Sequence, residues 1–281
     1  MIEKKIETLV EDIYEVLDTP NHKANKHNLA ILGDDIAAAI ATSMNRDSTP
    51  SPTIRASSIG KACNRQQWYD LKGFEGLPLQ PNTRLMFMYG HIVEALLLFL
   101  AKEAGHSVSA EQAEIEVDGI KGHIDALIDG VVVDVKSAST RSFEKFADGT
   151  LKDDDPFGYM KQIGFYQEGL GMRGGFLAMD KQYGHLAWLE VKAPVSVRPR
   201  IKELKEIEKM TDEPVRAMAY NPRPLGKSGN MTLCTECKYC SHKLHCWTDA
   251  NGGKGLRAFM YSNGPVFLTD VKNLPKVPEV V

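Results

Sequence analysis

The sequence predicts an α/β fold: a mixed central β-sheet flanked by helices, with a cysteine-bound metal cluster toward the C-terminal end. Three observations predict it. Short β-rich runs lie between longer helical stretches. One Asp-Gly pair, Asp129-Gly130, separates two such runs and marks a tight hairpin. Four of the five cysteines fall within residues 234–246.

A chain of 281 residues allows one large domain or two small ones, and it can bury a core without disulfides. Its 43% apolar and 25% charged residues exclude a disordered or low-complexity chain. A net charge of −3, from 34 basic and 37 acidic residues, excludes a uniformly basic nucleic-acid binder. Any phosphate contacts must come from a local patch. The N-terminus has no basic stretch followed by an apolar run, so no secretory signal is expected. An odd, clustered cysteine set reads as a reduced, cytoplasmic compartment with a metal site, not a secreted disulfide framework.

The elements follow in order. Ile2, Ile6, Leu9, Val10, Ile13, Val16 and Leu17 form one helical stripe. A second helix is expected over 29–44, and the Ser/Pro-rich residues 47–52 read as a linker. Residues 1–52 are thus expected to be a helical accessory element, 53–249 the core, and 250–281 a Pro/Gly-rich tail. Ser58 is expected to cap a helix that runs to Lys72 and stops at Gly73. An apolar helix follows over 83–104. Its stretch 85–101 is barely long enough to span a bilayer, and His91 and Glu94 would be costly in lipid. It reads as a buried helix of a soluble protein, with no membrane partner. Strands are expected near 112–117, 120–128 and 131–136, a helix near 157–170, strands near 174–180 and 184–192, and a charged helix over 197–211.

The hairpin carries the chemistry. If Asp129-Gly130 closes a two-residue turn, Ile128 pairs with Val131 and, counting back, Asp125 pairs with Asp134. Side chains alternate, so Ile124, Ala126, Ile128, Val131, Val133 and Val135 share an apolar face. The other face holds His123, Asp125, Leu127, Val132, Asp134 and Lys136. Facing carboxylates about 5 Å apart at Cβ repel, and a divalent cation between them reverses that sign. Oxygen ligands suit Mg²⁺ or Mn²⁺. Lys136 on the same face could position an attacking water or stabilise charge developing on a phosphate. The plain alternative is a solvated polar strand face. Glu94 lies in the most apolar helix, where a carboxylate must protonate or find a cation. It is a third metal ligand or the partner of a buried base. His91 reads as a satisfied core histidine. Gln162 and Tyr166, four apart on a helix, share a face and could hold a phosphate, a base or the lysine.

Cys234-x2-Cys237-x2-Cys240-x5-Cys246 lies in a segment too short to bury four thiols without a metal. Such spacing suits Zn²⁺ or an iron–sulfur cluster, and His242 and His245 add nitrogen ligands that suit zinc.

Together these residues resemble the PD-(D/E)XK nuclease superfamily, in particular its RecB-like exonuclease branch. The matching motifs are Gly90-x-x-x-Glu94, Gly122-x-x-Asp125, Asp134-x-Lys136 and Gln162-x-x-x-Tyr166, in that order. Many RecB-like members have His where this chain has Glu94; several viral and phage-type exonucleases have Glu. The resemblance spans roughly residues 55–247. It implies a restriction-endonuclease-like core and a metal-dependent DNA exonuclease. Glu94, Asp125, Asp134 and the backbone carbonyl of Val135 would hold Mg²⁺ or Mn²⁺. Lys136 would serve the attacking water or the transition state, and Gln162 and Tyr166 would position the strand. Ser137, Ser139, Thr140 and Arg141 would contact phosphates.

A subset of that branch, including CRISPR-associated exonucleases, carries a [4Fe–4S] cluster. Cys63, in its C-x-R-x-x-W-Y setting, and Cys237, Cys240 and Cys246 match its ligands, which leaves Cys234 surplus. The cluster would staple the helix around Cys63 to the C-terminal segment. The implied partners are single- or double-stranded DNA ends and a recombination or replication protein, in a bacterial or phage-infected cytoplasm. An endonuclease or structure-specific nuclease on the same core is one alternative. A zinc-bound nucleic-acid-binding protein without catalysis is the other.

Overall fold

A computed structural model describes residues 4–45 and 52–280. Ile2 of the N-terminal stripe and linker residues 47–51 lie outside them. The helices in chain order are α1 (Leu9–Asp18), α2 (Lys26–Met44), α3 (Ala56–Ile59), α4 (Asn64–Leu71), α5 (Pro81–Glu103), α6 (Thr140–Ala147), α7 (Tyr159–Leu170), α8 (Arg198–Lys209), α9 (Thr235–Tyr239), α10 (Lys243–Cys246) and α11 (Ala250–Gly253). The strands are β1 (Val108–Ser109), β2 (Glu114–Val117), β3 (Ile120–His123), β4 (Ala126–Ile128), β5 (Val131–Ala138), β6 (Gly174–Asp180), β7 (Leu186–Glu190), β8 (Arg223–Pro224), β9 (Met231–Thr232), β10 (Arg257–Tyr261) and β11 (Gly264–Asp270). They form two compact units. The first takes in residues up to 45, 54–60 and 80–202; the second takes in 61–79 and 203–280.

The first unit is built on a five-stranded sheet in the order β1-β4-β5-β6-β7. β5 and β6 run parallel and the other neighbours antiparallel, so the sheet is mixed. A parallel pair needs a crossover, and α6 and α7 supply it. The strand expected over 120–128 is two strands. β3 pairs back on β2 in a separate ribbon, whereas β4 pairs with β1 and β5. The chain changes ladders at Ile124-Asp125, so no single strand spans that stretch.

The apolar hairpin face forms the core. Ala126, Ile128, Val131, Val133 and Val135 bury against Val93, Leu97 and Ala101 of α5 and against Ile6, Leu9 and Ile13 of the N-terminal stripe. On β6, Leu177 joins this cluster, while the adjacent Phe176 meets Phe146 of α6 and Tyr159 of α7. α6 and α7 therefore cover the opposite face.

α5 departs from its expected burial. Val93, Leu97, Leu98, Leu100 and Ala101 are buried, but Leu85, Met86 and Phe87 are exposed. The exposed residues lie in the N-terminal turns of α5 and the buried ones in its C-terminal half. By length and composition alone, α5 is long and apolar enough to cross a membrane.

The helix expected from Ser58 to Lys72 is broken into α3 and α4. A Cβ on Gly60 would lie 2.4 Å from the Gly158 carbonyl oxygen, and the chain leaves the helix to make that approach. Gly73 ends α4 as expected, with φ +70 and the Phe74 N–H bonded to the Tyr69 carbonyl at 3.0 Å.

The second unit holds a four-stranded antiparallel sheet, β10-β11-β9-β8. Much of the stretch read as a tail is here the β10–β11 hairpin, turned at Ser262-Asn263 with Tyr261 opposite Gly264. Leu233, Trp247 and Leu256 form this unit's apolar cluster together with Cys234 and Cys237.

Candidate active site

The hairpin closes as its sequence dictates. Asp129 and Gly130 take φ +50 and +75, the two positive values that a two-residue turn of matching twist requires. The register is Ile128 to Val131, Leu127 to Val132 and Ala126 to Val133. Asp125 lies one step beyond the last pair. Its Oδ2 accepts the Val135 N–H at 2.7 Å, which fixes the carboxylate beside β5. Asp134 on β5 is 1% exposed, and its Oδ2 lies 2.5 Å from Lys136 Nζ. Gly122 of the first aspartate motif has a steric reason. A Cβ there would stand 2.4 Å from Ala56 Cβ and 3.1 Å from the Phe165 ring.

Two helices bring further groups. Glu94 of α5 accepts from Gln112 Nε2 at 2.7 Å. His91 Nδ1 is 3.7 Å from the same carboxylate, but the His91 side chain is 55% exposed. It is not the core histidine expected. On α7, Gln162 Nε2 donates to the Tyr166 hydroxyl at 2.9 Å, and Tyr166 is buried.

The electrostatics tie these groups into one centre. Burial, then the charges of Asp134 and Glu94, push the Asp125 carboxyl well above the ordinary range. Burial also raises Asp134, against the opposing pull of Lys136. Burial alone would lower the Lys136 pKa; Asp134 and Asp125 outweigh it and hold the ammonium charged. Burial and then Asp134 push the Tyr166 phenol upward. Shared repulsion among buried carboxylates is what a bound divalent cation relieves. The donor set, three carboxylates and no thiol, fits Mg²⁺ or Mn²⁺. Among the described residues, though, no three His, Cys, Asp or Glu side chains are grouped to hold a metal ion as they stand. The ammonium of Lys136 takes the place of a counter-charge at Asp134.

Beyond β5, Ser139 and Arg141 are exposed, but the Thr140 hydroxyl is engaged with Asp180 at 3.3 Å. Sequence reasoning missed two groups. Gln112 buttresses Glu94 and carries no periodic signal. Tyr159, whose ring centre is 4.8 Å from Lys136 Nζ, precedes Gln162 by three residues and so shares its helical face.

The second unit gathers the cysteines. Cys63, Cys237, Cys240 and Cys246 line one cavity, together with Tyr69, Arg216 and Trp247. Cys234 is buried but does not line it. Burial pushes Cys240 up to about 12 and raises Cys246 and Cys237, where Cys234 adds to the shift. Closely set thiols resist ionisation together unless a cation is bound. Trp247 is buried, with an indole N–H that has no protein partner. One ring nitrogen of each histidine is engaged: His242 Nε2 lies 2.7 Å from Asp70 Oδ1, and His245 Nε2 lies 3.2 Å from the Glu75 carbonyl, while His242 Nδ1 is buried without a hydrogen-bond partner. The cavity thus brings four cysteines to one place, although as they stand these side chains too are not grouped to hold a metal ion.

No protein-family model matches the chain, and no curated protein matches it in sequence. Among solved structures it is similar to SSO0001, at 16% identity over 80% of this chain and 98% of that one, with a TM-score of 0.43. It is also similar to a phage related exonuclease from Haemophilus somnus 129PT, at 15% identity over 56% and 91% of the two chains, with a TM-score of 0.41. A third likeness is to an alkaline exonuclease from Laribacter hongkongensis, at 14% identity over 57% and 85%, with a TM-score of 0.35. All three are distant.

Proposed function

We propose that this chain is a metal-dependent nuclease that hydrolyses the phosphodiester bonds of DNA, working from single- or double-stranded ends as an exodeoxyribonuclease. The observation that carries the reading is the pair of buried Asp134 and half-buried Asp125 beside Lys136, with the Glu94 charge bearing on both. Such a cluster is costly to a fold and has no packing role. Glu94, Asp125, Asp134 and the Val135 carbonyl would hold Mg²⁺ or Mn²⁺. The ion, when bound, supplies the Lewis acidity that makes water a nucleophile near neutral pH and draws charge from the phosphate. Lys136 orients the attacking water or neutralises charge developing on the phosphate. Tyr166, held by Gln162, positions the strand. The exposed Ser139 and Arg141 fit phosphate contacts beyond β5.

Cys63, Cys237, Cys240 and Cys246 would hold a [4Fe–4S] cluster, with zinc as the alternative. The cavity they share, which Cys234 does not line, supports this ligand set. Its role is a structural staple between the segment around Cys63 and the C-terminal segment. Thiol ligands of this kind suit a bacterial or phage-infected cytoplasm, in recombination, repair or DNA processing alongside a recombination or replication protein.

The test is cleavage of linear single-stranded, linear double-stranded and circular DNA with Mg²⁺ or Mn²⁺, beside Asp134→Ala. Degradation of linear DNA alone, lost in the variant, is expected. Cutting of circles would make the enzyme an endonuclease. Wild-type rates in Asp134→Ala would overturn the site. Iron and sulfide content of anaerobically purified protein distinguishes the cluster from zinc.

A further inference from the structure

A lysine on a strand is a poor catalytic group unless something holds it. Its four-carbon stem has many rotamers, and one ion pair fixes only a distance. Lys136 has a second restraint. Its Nζ stands 2.5 Å from Asp134 Oδ2 and 4.8 Å from the centre of the Tyr159 ring. That separation lies within the range of a cation–π contact, in which the negative ring face attracts the ammonium.

The ring itself is held. Asp155 accepts the N–H groups of Tyr159 at 3.0 Å and Met160 at 2.8 Å, which caps the start of α7. Gly158 enters the helix at φ +74, where a Cβ would stand 2.1 Å from the Gly60 carbonyl oxygen. Phe146 and Phe176 pack beside the ring, with centroids 6.2 and 6.4 Å away. Tyr159, Gln162 and Tyr166 fall at i, i+3 and i+7, so one face of α7 carries all three toward the carboxylate pair.

We infer that Tyr159 is a positioning residue: its ring face holds the Lys136 ammonium over Asp134 and so sets the rate of phosphodiester cleavage. The inference rests on the nuclease reading above. It assigns the work to the ring face and none to the hydroxyl.

The test is single-turnover cleavage of linear DNA by the full chain with Mg²⁺, in Tyr159→Phe, Tyr159→Leu and a series with phenylalanine carrying one, two or three ring fluorines at 159. Fluorine drains the ring face with little change of shape. Tyr159→Phe should cleave at the wild-type rate. Tyr159→Leu should lose roughly tenfold in rate with KM within about twofold, the scale of a desolvated cation–π contact. The fluorinated series should fall stepwise with fluorine number at constant Tm. A flat fluorine series, or a Tyr159→Phe rate as low as that of Tyr159→Leu, would overturn the inference. Should Tyr159→Leu fail to fold, the fluorine series still decides. An active wild type with a flat series sinks this inference alone; an inactive wild type sinks the nuclease reading and this inference with it.

Discussion

Asp125 shows how a site residue opposes its own fold. Its folded pKa is raised, so the metal-free folded state keeps a proton that the unfolded chain has released. Stability should therefore fall as pH rises from the unfolded value of about 3.9 through the raised folded one, then level off. Asp125→Asn keeps an acceptor for the Val135 N–H and removes the penalty. Above that window its Tm in EDTA should exceed the parent's by about 2–4 °C. Cleavage should drop by about a hundredfold or more. With Mg²⁺ the order should reverse, because only the parent gains binding energy; thermal scans across pH with and without the ion check both signs. The register from Ile128–Val131 to Ala126–Val133 was legible because a two-residue turn fixes it, whereas Asp125, expected to pair with Asp134, lies one step beyond the last pair. Gln112 was not legible. It meets Glu94 only because the turn before β2 comes against α5, and no local pattern encodes that contact.

At the scale of elements, glycines mark where the sequence could not be read in one dimension. Gly60 breaks a stretch that has helical pattern throughout, because Gly158 must come against it from a distant part of the chain. Gly122 was legible as part of a motif, but its physical reason is α3, whose Ala56 fills the space a side chain would need. Gly122→Ala should cost about 1–3 kcal/mol, read as a lower urea midpoint with the slope unchanged. An unshifted midpoint would show that α3 yields freely. The exposure of Leu85, Met86 and Phe87 at the start of α5 was hidden for a different reason: apolar composition alone does not say which turns of a helix meet a partner surface. The β10–β11 hairpin carries an Asn263-Gly264 pair, but the turn closes one residue earlier, at Ser262-Asn263, and the glycines and prolines around it outweigh the signal.

The whole molecule is two units that interrupt each other in sequence. The second unit draws on residues 61–79 and 203–280, and its four cavity-lining cysteines come from both segments. Loss of a group bound there, by Cys246→Ala or by oxidation, should loosen those two segments and leave the β4–β5 hairpin at 126–138 protected. Hydrogen exchange resolved by peptide measures this; equal loosening of the hairpin would show that the two units unfold as one. The same layout governs how the protein is born. Cys63 precedes Cys246 by 183 positions. At about 5–20 residues per second, a ribosome delivers the last thiol about 10–40 s after the first. All strands of the first unit emerge in that interval. If the four sulfurs hold one group, as proposed, it can be gripped fully only once Cys246 has been made, so fragments that end before that residue should lack it.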